Sequence, residues 1–214
     1  MRSNIGAILI TAGPTRERID PVRFISNYST GTFGYEIARE AKRRGRRVIL
    51  VSGPTSLKVP PGVKVVMVES AAEMQSAVMK NLRSAGCVIM AAAVSDWRVR
   101  REARGKIKRR GGAKTLELVE NPDILREIGR KRHGTLVGFA LETEGLEKNA
   151  AKKLKEKNLD LIVANRLTPK NDVFGPGRVD AVIMDRLGNK VMARRKTKKE
   201  LAKIILDRAL NFNI

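Results

Sequence analysis

Apolar runs of four to six residues alternate with longer amphipathic stretches along most of this chain, and that alternation leaves few folds open. A short run, then a helical period, then another run is the pattern of βαβ units, whose strands lie parallel in one sheet. Ala7-Ile8-Leu9-Ile10-Thr11 reads as the first strand. A long loop follows, then a helix over residues 33–44 with Phe33, Ile37, Ala38 and Ala41 on one face. Val48-Ile49-Leu50-Val51 is the second strand, closed by Ser52-Gly53-Pro54, and residues 63–68 form the third. Ser70 and Glu73 have the spacing of a capping box opening a helix that runs to Leu82, and Val88-Ile89-Met90-Ala91 is the fourth strand.

The alternation then lapses. Eight of the thirteen residues from 98 to 110 are basic, and residues 115–119 can return as a second strand, so this segment is expected to project as a hairpin flap. Asn121-Pro122-Asp123 has the form of a helix start: an N-cap, a proline in the first turn, then an acid on the dipole. Residues 135–140 give strand five, 144–157 a helix, and 159–164 strand six. The chain closes with a strand at 179–184, a turn at Gly188-Asn189, a short strand and a helix capped by Thr197 with Glu200. No repeat, linker or low-complexity tract interrupts residues 1–214. The expectation is one α/β domain: a doubly wound, Rossmann-like, mostly parallel sheet with a basic β-hairpin flap and a β-rich C-terminal addition.

In such sheets ligands sit beyond the carboxyl ends of the strands. That gathers the loop after strand one, Ser52-Gly53-Pro54, residues 91–97, residues 139–142 and the stretch from Asn165 around one crevice. A dinucleotide site would need G-x-G-x-x-G between strand one and its helix, and an acid at the end of strand two. Here Ala12-Gly13-Pro14-Thr15 leads to a helix about eighteen residues later, and strand two ends in Ser52-Gly53, so the dehydrogenase reading fails at both places. Ser29-Thr30-Gly31-Thr32-Phe33-Gly34 is still an anion cradle, with glycines that permit close approach and a helix N-terminus behind them. Arg16, Arg18, Arg23 and Asn27 in the preceding loop could fork onto a phosphate or polarise a carbonyl.

Charge adds a second class of reading. Lys plus Arg is 44 against 22 acids, a net +22 that would attract nucleic acid, anionic lipid or phosphorylated small molecules. The basic residues are spread over most helices, however, and only 4% of residues are aromatic, which argues against a stacking platform for single strands. No apolar run approaches the roughly 20 residues of a membrane span, and no small-residue cleavage site follows the first strand, so a cytoplasmic protein is expected. The lone cysteine, Cys87, opens an apolar strand and reads as a small buried residue. His133, after Lys131 and Arg132, reads as a cation at a helix end.

One set of motifs goes further. Thr11-Ala12-Gly13-Pro14-Thr15-Arg16-Glu17 and Ile19-Asp20-Pro21-Val22-Arg23-Phe24-Ile25-Ser26-Asn27-Tyr28-Ser29-Thr30-Gly31 resemble the signature of the phosphopantothenoylcysteine synthetase family. The resemblance continues, in order, through Ala91-Ala92-Ala93-Val94-Ser95-Asp96-Trp97, Gly105-Lys106-Ile107-Lys108, Asn121-Pro122-Asp123-Ile124, Val137-Gly138-Phe139-Ala140 and Lys157-Asn158-Leu159-Asp160 into Asn165. It implies a ligase of coenzyme A biosynthesis. The carboxylate of 4'-phosphopantothenate is activated by a nucleotide triphosphate, CTP by preference with ATP possible, and cysteine's amine then forms the amide. By the same resemblance Asn27 handles the acyl intermediate and the flap residue Lys106 the triphosphate. Gly13, Thr15, Arg23 and Gly31 are expected at substrate and phosphate. Ala92, Ala93, Asp96, Asn121, Pro122, Asp123, Ile124, Phe139, Lys153 and Lys157 are expected at the nucleotide, the two lysines sharing one helix face.

Mg²⁺ is expected with the triphosphate rather than in a cage of protein side chains. A homodimer is implied, and no specific nucleic acid. Many relatives carry a flavin-dependent decarboxylase domain ahead of this one. With the first strand beginning almost at Met1, these residues are expected to form a ligase domain alone: either a separate decarboxylase accompanies it, or the chain is a domain excised from a bifunctional protein. A basic nucleic-acid module and another nucleotide-binding Rossmann-like enzyme are the alternatives.

Overall fold

Strand β1 (Ala7–Ala12) is buried along its whole length, and its side chains alternate between two cores. Ile8, Ile10 and Ala12 point into one hydrophobic cluster, while Ala7 and Leu9 point into another. A strand with apolar neighbours on both faces belongs at the centre of a sheet covered by helices on each side. The structure, a computed structural model, describes residues 6–109, 111–131 and 134–212. His133 and Arg110, the last residue of the basic run, lie outside the described residues.

The elements run β1, β2 (Arg16–Arg18), β3 (Phe24–Ser26), α1 (Thr32–Arg43), β4 (Val48–Ser52), β5 (Lys64–Met67), α2 (Ala71–Leu82), β6 (Ala85–Met90), β7 (Trp97–Val99), β8 (Leu118–Glu120), α3 (Ile124–Lys131), β9 (Thr135–Glu142), α4 (Leu146–Glu156), β10 (Leu161–Arg166), β11 (Val179–Asp185), β12 (Lys190–Lys196) and α5 (Lys198–Asn211). Eight strands form one sheet in the order β12-β11-β10-β9-β6-β1-β4-β5. The six from β5 to β10 pair in parallel, and β11 and β12 continue antiparallel. This is the doubly wound architecture with a β-rich addition. α1 and α5 cover one face, contributing Ile37, Ala41, Leu201 and Ile205. α2, α3 and α4 cover the other through Met74, Val78, Ile128 and Ala150. Strand order reverses between β1 and β6, so the loops leaving these two strands part there.

Four local expectations change. The long loop after β1 contains a small hairpin, β2 against β3, turned by Asp20, which accepts from the N–H groups of Val22 (2.8 Å) and Arg23 (2.9 Å). Ser70 does cap α2 by accepting from the Glu73 N–H, but the Glu73 carboxylate reaches one residue further back, to the N–H of Glu69, so the box is not closed. α3 is capped by Asp123, whose Oδ1 accepts from the Arg126 N–H at 3.0 Å, and Asn121 and Pro122 precede the helix. The flap is a hairpin only at its base, where Trp97–Val99 pairs with Leu118–Glu120.

Candidate active site

A crevice of about 810 Å³ opens where the β1 and β6 loops part. Its walls come from residues 27–33, 90–97, 120–125 and 139–141, with Lys153, Lys157, Asn165, Val173, Phe174 and Lys198. Two glycines let the backbone close this tightly. Gly31, the N-cap of α1, sits at φ 81° with its α-carbon face against Gly13, a left-handed conformation that a side chain would strain. Gly53 passes so near the β1 loop that a β-carbon would lie 1.8 Å from the Pro14 carbonyl. No side chain caps α1 and its first turn holds no acid, so its N-terminal N–H groups and positive dipole end face the crevice.

The loop after β6 is stitched to the loop after β1. Ala93 donates to the Gly13 carbonyl at 2.9 Å, Ala92 to the Thr11 hydroxyl at 3.1 Å, and Ser95 to the Thr15 hydroxyl at 2.9 Å. Gly13 and Thr15 therefore lie behind the wall; Thr15 is fully buried, and neither lines the crevice. Ala92 and Ala93 do line it, and their small side chains leave backbone exposed to a ligand. Asn27 reaches across with Nδ2 3.0 Å from the Ala93 carbonyl and 3.3 Å from that of Val94. Its Oδ1 has no partner among the described residues and stays open to the crevice.

Asp96, Asn121, Pro122, Asp123 and Ile124 form the adjoining wall. Asn121 fixes it, donating Nδ2 to the Ser95 carbonyl (2.9 Å) and its N–H to the Asp96 carbonyl (2.8 Å). Lys157, the C-cap of α4, pairs with Asp123, and Lys153 donates to the Phe139 carbonyl at 2.8 Å. Burial pulls both ammonium groups below the usual lysine range. Asp96 opposes the shift at both, and Glu142 opposes it at Lys153. The Phe139 ring meets Phe33 edge to face, centroids 5.4 Å apart.

Arg23 and Lys106 lie elsewhere. Arg23 is held by Asp20, its guanidinium donating both to that carboxylate and, at 3.0 Å, to the Ile107 carbonyl. Asp20 is 1% exposed and also accepts from the Ile107 N–H at 3.1 Å. The Arg23 guanidinium holds its carboxyl well below the usual carboxylate range. This clasp ties the flap to the β2–β3 turn one residue after Lys106, whose exposed side chain does not line the crevice. No group of three or more His, Cys, Asp or Glu side chains gathers around a possible metal among the described residues.

Sequence reasoning singled out neither Lys198 nor Phe174. Lys198, 6% exposed, donates to the Gly175 carbonyl at 2.7 Å and stands 5.7 Å from the Phe33 ring centroid. Phe174 packs beside Tyr28, centroids 6.2 Å apart. Both arrive from the C-terminal addition, and the signal lay in a lysine directly after the α5 cap, the wrong helix end for a cation.

Residues 5–212 match the family described as the DNA/pantothenate metabolism flavoprotein C-terminal domain. The coenzyme A biosynthesis bifunctional protein CoaBC of Bacillus subtilis (strain 168) is 46% identical over 185 residues, 86% of this chain and 46% of that protein. Its namesake in Escherichia coli (strain K12) is 42% identical over 205 residues, 94% of this chain and 50% of that one. The chain thus spans about half the length of the curated relatives it matches. The crystal structure of the C-terminal domain of a CoaBC superposes with a TM-score of 0.80 at 41% identity, over 95% of this chain and 93% of that one. Sequence and superposition agree across nearly every element, and the chain belongs to the DNA/pantothenate metabolism flavoprotein C-terminal domain family.

Proposed function

We propose that this protein is a phosphopantothenate–cysteine ligase acting in the cytoplasm. The carboxylate of 4'-phosphopantothenate attacks the α-phosphorus of CTP, giving an acyl-cytidylate and pyrophosphate. The amine of cysteine then attacks the acyl carbon, the amide forms, and CMP leaves. The observation that carries the reading is the convergence, in one crevice, of an uncapped helix N-terminus, the open backbone of Ala92 and Ala93, Asn27, and the Lys153–Lys157 pair.

Each group has work in that scheme. The α1 N-terminus and the two lysines suit phosphate oxygens. Asp96 and the Asn121–Ile124 wall suit the ribose and base, with Phe139 beneath. Nδ2 of Asn27 is committed to two carbonyls, so the open Oδ1 is an acceptor matched to the N–H of an attacking amine. Lys106 would meet the triphosphate by movement of the flap, and Mg²⁺ would neutralise charge on the departing pyrophosphate. Proximity does the rest, holding carboxylate, phosphorus and amine in reach. Two copies of the chain are expected to associate, as the family resemblance implies.

Pyrophosphate release tests the reading, with 4'-phosphopantothenate and Mg²⁺, CTP against ATP, with and without cysteine. Release that requires phosphopantothenate is expected, faster with CTP; none with either nucleotide from folded protein would overturn it. Asn27→Ala is expected to keep part of the activation step while lowering amide formation roughly 100-fold, as loss of a transition-state contact does. Lys106→Gln is expected to slow pyrophosphate release roughly tenfold or more, for want of one charge-assisted contact. Product analysis by mass spectrometry separates the two phenotypes.

A further inference from the structure

Lys198 is placed where a lysine should be costly. It is the first residue of α5, directly after the Thr197 cap, so its charge sits at the positive end of the helix dipole. It is also 6% exposed, whereas Lys199 beside it faces solvent. Removing an ammonium from water is costly unless other groups replace its hydration. The chain replaces only part of it. Nζ donates to the Gly175 carbonyl at 2.7 Å and to the Phe174 carbonyl at 3.4 Å, and it stands over the Phe33 ring. No carboxylate lies within ion-pair distance of it among the described residues. Burial pulls its pKa below the usual lysine range, with Asp172 opposing from further off. An ammonium has three N–H donors, and two are engaged.

The position is as informative as the burial. Lys198 lines the crevice beside the start of α1, to which Phe33 belongs. Phe33 meets Phe139, and the Phe139 carbonyl accepts from Lys153. Two desolvated ammonium groups therefore meet the Phe33–Phe139 pair, Lys153 at the Phe139 main-chain carbonyl from the helical layer on one face of the sheet and Lys198 over the Phe33 ring from the layer on the other. We infer that Lys198 is a further binding residue of this crevice, presenting its remaining N–H to a phosphoryl oxygen of the ligand. The inference rests on the ligase reading for the identity of that ligand. The oxygen belongs either to the nucleotide triphosphate or to the phosphate ester of the acid.

Calorimetric titration of wild type, Lys198→Met and Lys198→Arg separates the possibilities. The probes are tripolyphosphate, CTP against CMP, and 4'-phosphopantothenate against pantothenate. Lys198→Met keeps most of the stem and removes the charge. It is expected to weaken at least one phosphorylated probe roughly 10- to 100-fold, the cost of a lost charge-assisted bond, while the less phosphorylated member of the pair is unaffected. Lys198→Arg is expected to restore most of the loss. A deficit in tripolyphosphate and CTP assigns the triphosphate, and a deficit in phosphopantothenate assigns the ester. Unchanged binding of every probe, or equal weakening of both members of each pair, would overturn the inference, since a purely structural lysine would not discriminate by phosphate.

A second measurement does not depend on the variant folding. In wild type, the phosphorylated probe should protect Lys198, and not Lys199, from an amine-acylating reagent read by peptide mass spectrometry; absence of protection at saturation would also overturn it. The two readings fail differently. Lys198-dependent binding without pyrophosphate release sinks the ligase and leaves this site. Full ligase activity and binding in Lys198→Met does the reverse.

Discussion

Ala93 brings no functional group to the crevice, yet its peptide atoms hold three segments together. Its N–H donates to Gly13, and its carbonyl accepts from the Thr15 N–H at 3.3 Å and from Asn27 at 3.0 Å. Roles of this kind are hard to read from residue types. Thr15 looked like a phosphate contact and is instead a fully buried brace for Ser95. Arg23 looked like a substrate contact and instead belongs to the Asp20 clasp. Asn27, Asp96, Lys153 and Lys157 do meet, because each sits at a strand or helix end whose position the sheet topology dictates. Cys87 shows the same distinction from the apolar side. It is 1% exposed between strands, and burial pushes its thiol up to about 12. A thiolate is the reactive form, so Cys87 is expected to resist maleimides in the native protein at pH 8 and to label only on unfolding. Rapid labelling under native conditions, read by mass spectrometry, would contradict its place in β6.

The helices and long strands were legible in the sequence because their periods repeat for enough residues to be recognised. α1 is the clearest case: Ile37, Ala38 and Ala41 recur on one face, and all three are fully buried. β2 and β3 are three residues each, too short to display an alternation, and they exist because Asp20 turns the chain between them. The start of α3 was misplaced for a similar reason, since Asn121 and Asp123 are both good caps by type and only the fold chooses between them. α1 also carries a pH dependence. Glu40 is 4% exposed and accepts from Arg43 and Arg44; these contacts, Arg43's foremost, lower its pKa from 4.5 to about 2. A depressed carboxylate stabilises the fold above its unfolded pKa, and the contribution is lost as pH falls from about 4.5 to about 2. Glu40→Gln is therefore expected to lower the unfolding temperature at pH 7 and to flatten the decline between pH 4.5 and 2, measured by circular dichroism. An unchanged slope would show that the bonds to Arg43 and Arg44 contribute nothing to folding.

For the molecule as a whole, +22 is the dominant property that fold alone does not explain. The substrates proposed above, phosphopantothenate and a nucleotide triphosphate, are both anions, so under that proposal a field of this sign should raise their encounter rate rather than their affinity alone. The expected result is a kcat/KM that falls several-fold between about 20 and 200 mM salt while kcat changes little, since the Debye length shortens from roughly 22 to roughly 7 Å over that range. A kcat that fell with kcat/KM would place the charge effect in the chemical step. The overall layering also sets an order of assembly. α5 lies against α1 across the chain's length, held by Arg44, which joins Glu40 (2.8 Å) to Asp207 (2.6 Å). Lys198 enters the crevice with that helix. During synthesis on the ribosome, the loops that carry Asn27, Ala93 and Asp96 and the helix that carries Lys153 emerge before α5, and one wall of the crevice cannot close until α5 has cleared the exit tunnel and docked.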